Sequence, residues 1–587
     1  MLKIFKHLNR KEWLFAALGV AFVTCAVWLD LRIPDHMADI TELVFTEGSV
    51  ASEIWTEGLW MLGTAFASMV AMIIVGYAAG RTSAGFTRDL MEKIFVKVLN
   101  FSQAEVNHFS VPSLITRATN DVTQIQNILV FGFQTVVRSP IMAVWATIMI
   151  LNRGFEWSVA TFIAVAIILF VILILVIFAL PKLKIVQELT DHLNLVTREH
   201  LTGIRVVKAY NAKSYEEEKF ADANVQLMKT NRFVLRMMTF PWPVYGFIMN
   251  ALPLVIYLIG AYLLNEAGII ESIEIFSNMV VFAQYGMLVI MAFLMMSNML
   301  VLLPIAMVSA RRINEVLAKE PSLKFPETES DATADTKVAV IFDKVSFKYP
   351  EAEEYVLEGI NFTINEGETA AFIGATGSGK STILKLIARV YDATEGKVLI
   401  AGKDVKSYTE KQLVSKVGYT LQKATLFPGS IASNIAFGKE DFKENMSDIT
   451  DAAELAQAGE FINKMEETYE ANITQGGTNV SGGQRQRLSI ARTLFRKSDI
   501  LIFDDSFSAL DYKTDRKLRE ALKKECIDAT KLIVAQRVST IKDANKIIVL
   551  DEGKIVGIGT HRELLESCHI YHEIASSQLT KEELANG

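Results

Sequence analysis

The chain has little of what would tie it to several common classes of function. Three cysteines in 587 residues, Cys25, Cys526 and Cys568, stand far apart without metal-ligand spacing, and their odd number argues against a disulfide framework. The soluble part therefore suits a reducing cytoplasm. No block of basic residues stands out and the formal net charge is only −7, so nucleic acid is not an expected partner. There is no short repeat period and no low-complexity array. The basic amphipathic start, MLKIFKHLNRKEW, leads into an apolar run that lacks a small-residue cleavage site. It reads as a retained segment lying along a membrane surface, not as a signal peptide.

What is present is distributed unevenly. Up to about residue 312 long apolar runs dominate, whereas from Lys337 onward short apolar strands alternate with charged helical stretches, as in soluble α/β domains. A hydrocarbon core of about 30 Å needs about 20 apolar residues in a helix. Six stretches approach or exceed that length, near residues 13–30, 55–80, 129–152, 157–181, 238–265 and 277–308. Arg81, Arg88, Lys93, Lys97 and Arg117 fall between the second and third stretches, and Lys182 and Lys184 follow the fourth. This positive excess predicts that both connections, and both chain ends, face the cytoplasm. The acidic or short connections, Asp30 to Glu53, Asn152 to Glu156 and Asn265 to Glu274, then face outward. The two inside connections are helix-compatible and too long for turns, so they are expected to project as extensions of the spans, each with a short crossing helix, around residues 108–122 and 200–220. A polar, proline-containing linker, 318–337, separates a membrane domain, 1–317, from a soluble domain, 338–587.

Two features inside the spans invite a functional reading. Arg138, in the third stretch, is a candidate for substrate contact or gating by the default for intramembrane charge; alternatively it snorkels to the headgroups. Met287, Met291, Met295 and Met299 recur every four residues along one drifting helix face. Polarizable methionines suit a cavity for varied apolar ligands, and ordinary helix packing suits them equally. Pro241, Pro243 and Pro253 carry no functional reading.

The soluble half holds the strongest chemical signal. GATGSGKS, Gly374 to Ser381, follows an apolar strand and precedes a helix, which is the context of a phosphate-binding loop. Gly374, Thr376, Gly377, Ser378 and Gly379 let backbone N–H groups surround phosphate oxygens, Lys380 reaches the β- and γ-phosphates, and Ser381, followed by Thr382, offers a hydroxyl to Mg²⁺. A second strand, DILIFDD, ends at Asp504, placed to hold the same metal. Together these elements give binding of a nucleotide with Mg²⁺ and leave open which class of P-loop protein holds it, since small GTPases, kinases and motor ATPases share both.

The segment NVSGGQRQR, Asn479 to Arg487, resembles the signature sequence of the ATP-binding-cassette family, with Val480 where leucine is commoner. The rest of that family's order is present: Tyr349 where adenine is stacked, Gln422 where Mg²⁺ and the membrane domain are sensed, and Ser508, Ala509, Leu510 and Asp511 after the second strand. The resemblance covers the whole chain and matches the exporter type called type IV. It implies an all-α membrane bundle of six spans, with long cytoplasmic helical extensions, fused to an α/β nucleotide-binding domain. It further implies that Ser481, Gly482, Gly483 and Gln484 serve the ATP bound by an opposing domain.

Two positions depart from the family's pattern. Where it has the glutamate that polarises water, this chain has Asp505, and where it has a phosphate-sensing histidine, it has Gln536. A carboxylate one methylene shorter withdraws from its target, and a glutamine cannot take up a proton. The expectation is a slow, ATP-retaining site in one half of a heterodimeric multidrug-type exporter at the plasma membrane, partnered by a second half-transporter and moving hydrophobic or amphipathic small molecules. Lipid or peptide export, a symmetric homodimer, and a non-transporting membrane sensor or gate are the alternatives.

Overall fold

The computed structural model describes residues 2–46, 48–151, 155–266, 268–328, 337–439, 445–580 and 584. The chain divides into two compact units, Met1–Leu99 with Val111–Lys319, and Asn100–Ser110 with Glu320–Gly587.

The first unit is helical. Helices α1 (Arg10–Phe45) and α2 (Ala51–Leu99) precede α3 (Gln103–Phe109), which belongs to the second unit. They are followed by α4 (Val111–Ala118), α5 (Asn120–Gly132), α6 (Arg138–Leu151), α7 (Phe155–Ile174), α8 (Leu180–Thr202), α9 (Ile204–Ala209), α10 (Lys213–Thr239), α11 (Pro241–Glu266) and α12 (Ile269–Ala318). Among the described residues five helices are long and apolar enough to cross a membrane, or six when a pair bent by 53°, Val111–Gly132 and Thr135–Leu151, counts as one span. The bend coincides with a single π turn, Phe133–Val137, which interrupts the α-helical hydrogen-bond ladder.

Phe66 and Phe170 are each more than 60% exposed, although an exposed side chain of this kind forgoes about 1.5–3 kcal/mol in water. Lipid removes that penalty. Trp13, Trp55 and Trp242, all exposed near helix ends, have the amphipathic character of residues at the headgroup level. Inside the bundle Tyr285 is fully buried, its hydroxyl 2.9 Å from the Leu31 carbonyl and 2.8 Å from Asp35 Oδ1. Trp157 stacks on Phe282 at 5.5 Å.

Residues 108–122, where a short crossing helix is expected, are divided among the end of α3, α4 and the start of α5. Ser102 caps α3 in a capping box with Glu105, and Ser110 ends it with φ +63°. Pro112 lacks the N–H needed inside a helix and is tolerated only in a first turn, so α4 begins anew at Val111. Helix α3 is held within the second unit by Ser102 Oγ, 2.9 Å from Ser322 Oγ, and by Ser322 N–H donating to Glu105 at 3.2 Å. In the second region, 200–220, Gly203 separates α8 from the short α9. Of the linker, residues 329–336 lie outside the described residues; nearer its start Arg389 donates to the Lys324 carbonyl at 3.1 Å and covers the Phe325 ring at 4.3 Å.

The second unit contains β1 (Val338–Phe347), β2 (Leu357–Asn365), β3 (Thr369–Gly374), β4 (Glu395–Ile400), β5 (Lys403–Asp404), β6 (Val417–Thr420), β7 (Gly429–Ser430), β8 (Asn472–Ile473), β9 (Ile500–Asp504), β10 (Thr530–Val534), β11 (Lys546–Asp551) and β12 (Lys554–Gly559). An antiparallel sheet runs β2-β1-β4-β5, and a six-stranded sheet runs β12-β11-β3-β10-β9-β6. In the latter every neighbouring pair except β12 with β11 is parallel. All five residues of β9 and of β10 are buried, the unbroken pattern of strands covered on both faces. Strands β3, β9, β10 and β6 therefore open their carboxyl ends along one edge, where ligands of open parallel sheets bind.

Candidate nucleotide site

That edge gathers the residues named from the sequence. Strand β3 ends at Gly374, whose φ of +152° and position suit only glycine: a Cβ there would lie 2.0 Å from the Leu550 carbonyl. The chain turns through Gly377 and Gly379, both with positive φ, into α13 (Lys380–Ile387). Thr376 and Gly377 are exposed on the loop and Ser378 is buried beneath it. Lys380 Nζ donates to the carbonyls of Gly374 at 3.0 Å and Ala375 at 2.7 Å. Burial pulls its pKa below the ordinary lysine value, against the raising influence of Asp505 and Asp504.

Ser381 Oγ donates to Asp504 Oδ1 at 2.7 Å, so a hydroxyl and a carboxylate converge from α13 and β9. This pair of hard oxygen donors fits Mg²⁺, which would neutralise phosphate charge there. Tyr349 Oη lies 3.0 Å from Thr382 Oγ1, and its ring packs edge-on against Phe347 and Tyr391.

Beyond the tip of β9 the carboxylate of Asp505 is already engaged. Its backbone is left-handed, φ +48°, a region Asp tolerates better than most residues, and the residue is only 8% exposed. Gln536 Nε2 donates to Asp505 Oδ2 at 2.9 Å, and Gln422 Nε2 approaches the same oxygen at 3.4 Å. Burial raises the pKa of Asp505, while hydrogen bonds from Gln422, Ser508 and Gln536 oppose the rise. Gln422 is thus placed against Asp505, and the two positions that break the family pattern, 505 and 536, form one hydrogen-bonded pair.

Ser481 caps α14 (Gly482–Phe495) in a capping box: its Oγ accepts from Gln484 N–H at 3.3 Å and its own N–H donates to Gln484 Oε1 at 2.8 Å. Gly483 closely approaches Ala509, a Cβ lying 3.3 Å from that carbonyl. Ser508 Oγ donates to the Asp505 carbonyl at 2.9 Å, Leu510 is buried, and Asp511 caps α15 (Tyr512–Glu525). Among the described hydrogen bonds none joins Ser481, Gly482, Gly483 or Gln484 to the phosphate loop.

The model of the ABC transporter domain matches residues 357–508, and that of the ABC transporter transmembrane region matches residues 17–293. An uncharacterized ABC transporter ATP-binding protein of Mycobacterium tuberculosis is 36% identical over 549 residues, 93% of each chain. This chain belongs to the ABC transporter family. An ATP-dependent lipid A-core flippase of Saccharophagus degradans is 30% identical over 494 residues, covering 84% of this chain and 82% of the flippase. A Bacillus subtilis ATP-binding/permease protein named for multidrug export is 28% identical over 571 residues, 95% of each chain. The fold is that of a solved bacterial Atm1-family ABC exporter with ATP bound, at a TM-score of 0.80 and 22% identity, covering 97% of this chain and 100% of that one. Membership makes this chain an ATP-binding membrane protein.

Two residues of the ATP-binding region escaped the sequence reading. Tyr419 Oη donates to Asp504 Oδ2 at 3.1 Å, holding the second oxygen of the metal-side carboxylate. Its only signal was a hydroxyl two residues beyond Val417 in a short apolar strand. Gln578 Nε2 donates to the Gln536 carbonyl at 2.9 Å and its Oε1 accepts from Val538 N–H at 2.8 Å, across a sequence gap no local pattern could bridge.

In the membrane unit Arg138 is ion-paired. Its Nη2 donates to Asp30 Oδ2 at 2.7 Å, and Ser68 Oγ donates to Asp30 Oδ1 at 2.5 Å, joining α1, α2 and α6. Met287 and Met295 are half-buried and Met291 is 40% exposed, while the side chain of Met299 lies outside the described residues.

Proposed function

We propose that this chain is one half of a heterodimeric exporter of hydrophobic or amphipathic small molecules, in which its own phosphate loop holds ATP through many cycles while the partner's site turns over. The observation that carries this reading is the Asp505 carboxylate, which accepts hydrogen bonds from Gln536 and Gln422 on one oxygen. A base takes a proton from water most readily with its lone pairs unengaged, and this carboxylate is short, buried and hydrogen-bonded at Oδ2. Tyr349, the loop from Gly374 to Thr382, and Asp504 bind Mg·ATP in the reading, with Gln422 next to the metal. Ser481 to Gln484, at the capped start of a helix, donate to ATP held by the partner. Ser508, Ala509, Leu510 and Asp511 link the two sites.

The positive excess at Arg81 to Arg117 and at Lys182 and Lys184 supports cytoplasmic placement of both chain ends and of the nucleotide domain. Helices α3 and α9, short and set between longer segments, act as the coupling elements. Multidrug and lipid-flippase relatives support an amphipathic substrate. The test is a chase: the assembled transporter is loaded with labelled ATP, diluted into unlabelled Mg·ATP, and the bound label followed through steady turnover. Label retained on this chain and lost on Lys380→Ala supports the reading; label that decays at the turnover rate overturns it. ATP-dependent uptake of an amphipathic dye into inside-out vesicles separates an exporter from a sensor.

A further inference from the structure

A cluster that neither the nucleotide chemistry nor the Arg138 pair uses stands in the helical unit. His36 and Asp39, three residues apart on one face of α1, meet Glu57 of α2. His36 Nδ1 lies 3.0 Å from Glu57 Oε2, at 21% and 30% side-chain exposure. One nitrogen or oxygen from each of the three lies within 4.8 Å of the others. The chain has 8 histidines and 66 acidic residues, yet among the described residues no other three histidine, cysteine or carboxylate side chains gather in this way. Helix α12 holds a different stripe of α1, where Tyr285 reaches Leu31 and Asp35 and Ser277 reaches Ala38.

An ion pair accounts for His36 and Glu57 and leaves Asp39 over. Two carboxylates around a protonated imidazole keep a surplus negative charge and repel each other, whereas around a neutral imidazole a divalent cation cancels both. The donors select the ion. Ca²⁺ and Mg²⁺ take oxygen ligands, while an imidazole nitrogen with carboxylates suits zinc. Ligands about 2.1 Å from a tetrahedral zinc ion stand about 3.4 Å apart. His36 and Glu57 are already that close, and rotation of the exposed Asp39 side chain covers a remaining gap of less than about 1.5 Å. We propose that His36, Asp39 and Glu57 bind a zinc ion that clamps α1 to α2, with water in the fourth position. That the ion comes from outside the cell rests on the orientation proposed above; the site itself rests on neither that orientation, nor a slow ATP site, nor a heterodimer.

The experiment uses the full chain without a histidine tag, in lipid discs open on both faces and free of nucleotide, with zinc chloride as the probe. Competition against a chromophoric chelator should show a saturable step of one zinc ion per chain, undiminished by a large excess of Mg²⁺ or Ca²⁺. His36→Ala, Asp39→Asn and Glu57→Gln should each weaken binding by at least the about tenfold that loss of an outer-shell partner costs. Glu42→Gln, at an exposed position of the same helix, should leave it unchanged. Melting temperature without zinc serves as the control for folding. In the unmodified chain, zinc should slow acylation of His36 by diethyl pyrocarbonate, read peptide by peptide, while exposed His192 stays reactive. Equal acylation of His36 with and without saturating zinc, or binding that survives all three ligand substitutions, would overturn the proposal, and the acylation arm needs no variant.

Discussion

Restoring the two unusual residues together should awaken the site, whereas restoring either alone should not. In Asp505→Glu the longer side chain would advance toward the nucleotide by more than about 1 Å, a distance whose loss elsewhere costs about a hundredfold in rate. Gln536 would still be present to hydrogen-bond the new carboxylate, as it does Asp505 at 2.9 Å. In Gln536→His alone, the short, buried aspartate remains the only base. The single variants should therefore gain no more than about twofold each, and the double variant about a hundredfold, far above the product of the two single gains and toward the 10²–10⁴ that a positioned general base contributes. Single-turnover formation of labelled phosphate in the assembled transporter, stopped by acid quench, reads this directly, because it reports bond cleavage and not product release. Single gains that multiply independently to the double gain would refute the idea that Asp505 and Gln536 act as a pair. No gain in the double variant would refute the idea that they limit the site at all.

Removing Arg138 while leaving Asp30 should be severe. The pair is largely buried, at 21% and 17% side-chain exposure, so Arg138→Met strands a carboxylate and should cost about 3–5 kcal/mol, with Asp30→Asn/Arg138→Met recovering most of it in thermal melts. Ser481→Ala removes the cap of α14 and should cost about 1 kcal/mol of stability. On the proposed assembly it should also depress hydrolysis by the pair while leaving ATP binding by this chain intact, measured by nucleotide fluorescence. Asp505 titrates above the ordinary aspartate value, so the folded state holds its proton more tightly than the unfolded state. Its stabilising contribution is present below the unfolded value of 3.8 and lost as pH rises through the folded value. Asp505→Asn should accordingly flatten the decline of melting temperature over that window, and an unchanged slope would contradict the assignment.

Most of the architecture was legible because the signals are local and redundant. Apolar length marks the spans, and the phosphate loop needs glycines that nothing else could replace, as Gly374 illustrates against the Leu550 carbonyl. The division of residues 108–122 was a matter of which local signal wins: helical pattern runs through them, but the Ser102–Glu105 capping box and Pro112 split it into separate short helices. What remained hidden depends on distance along the chain. Asp30 and Arg138 are 108 residues apart, and the hydroxyl of Tyr419 meets Asp504 across 85. Periodicity cannot announce such pairs. The contact between Asp505 and Gln536 is intermediate: each stood out as a departure from a motif, and only the fold put them in hydrogen-bonding distance.

The most direct test of the account is to purify this chain in lipid, alone and with a co-expressed candidate second half, and to measure molar mass and Mg·ATP hydrolysis for each. The account predicts negligible turnover by the chain alone and brisk turnover only in the mixed complex. A stable assembly of this chain with itself that hydrolyses ATP briskly would show that Asp505 and Gln536 suffice for catalysis, and would contradict the central claim.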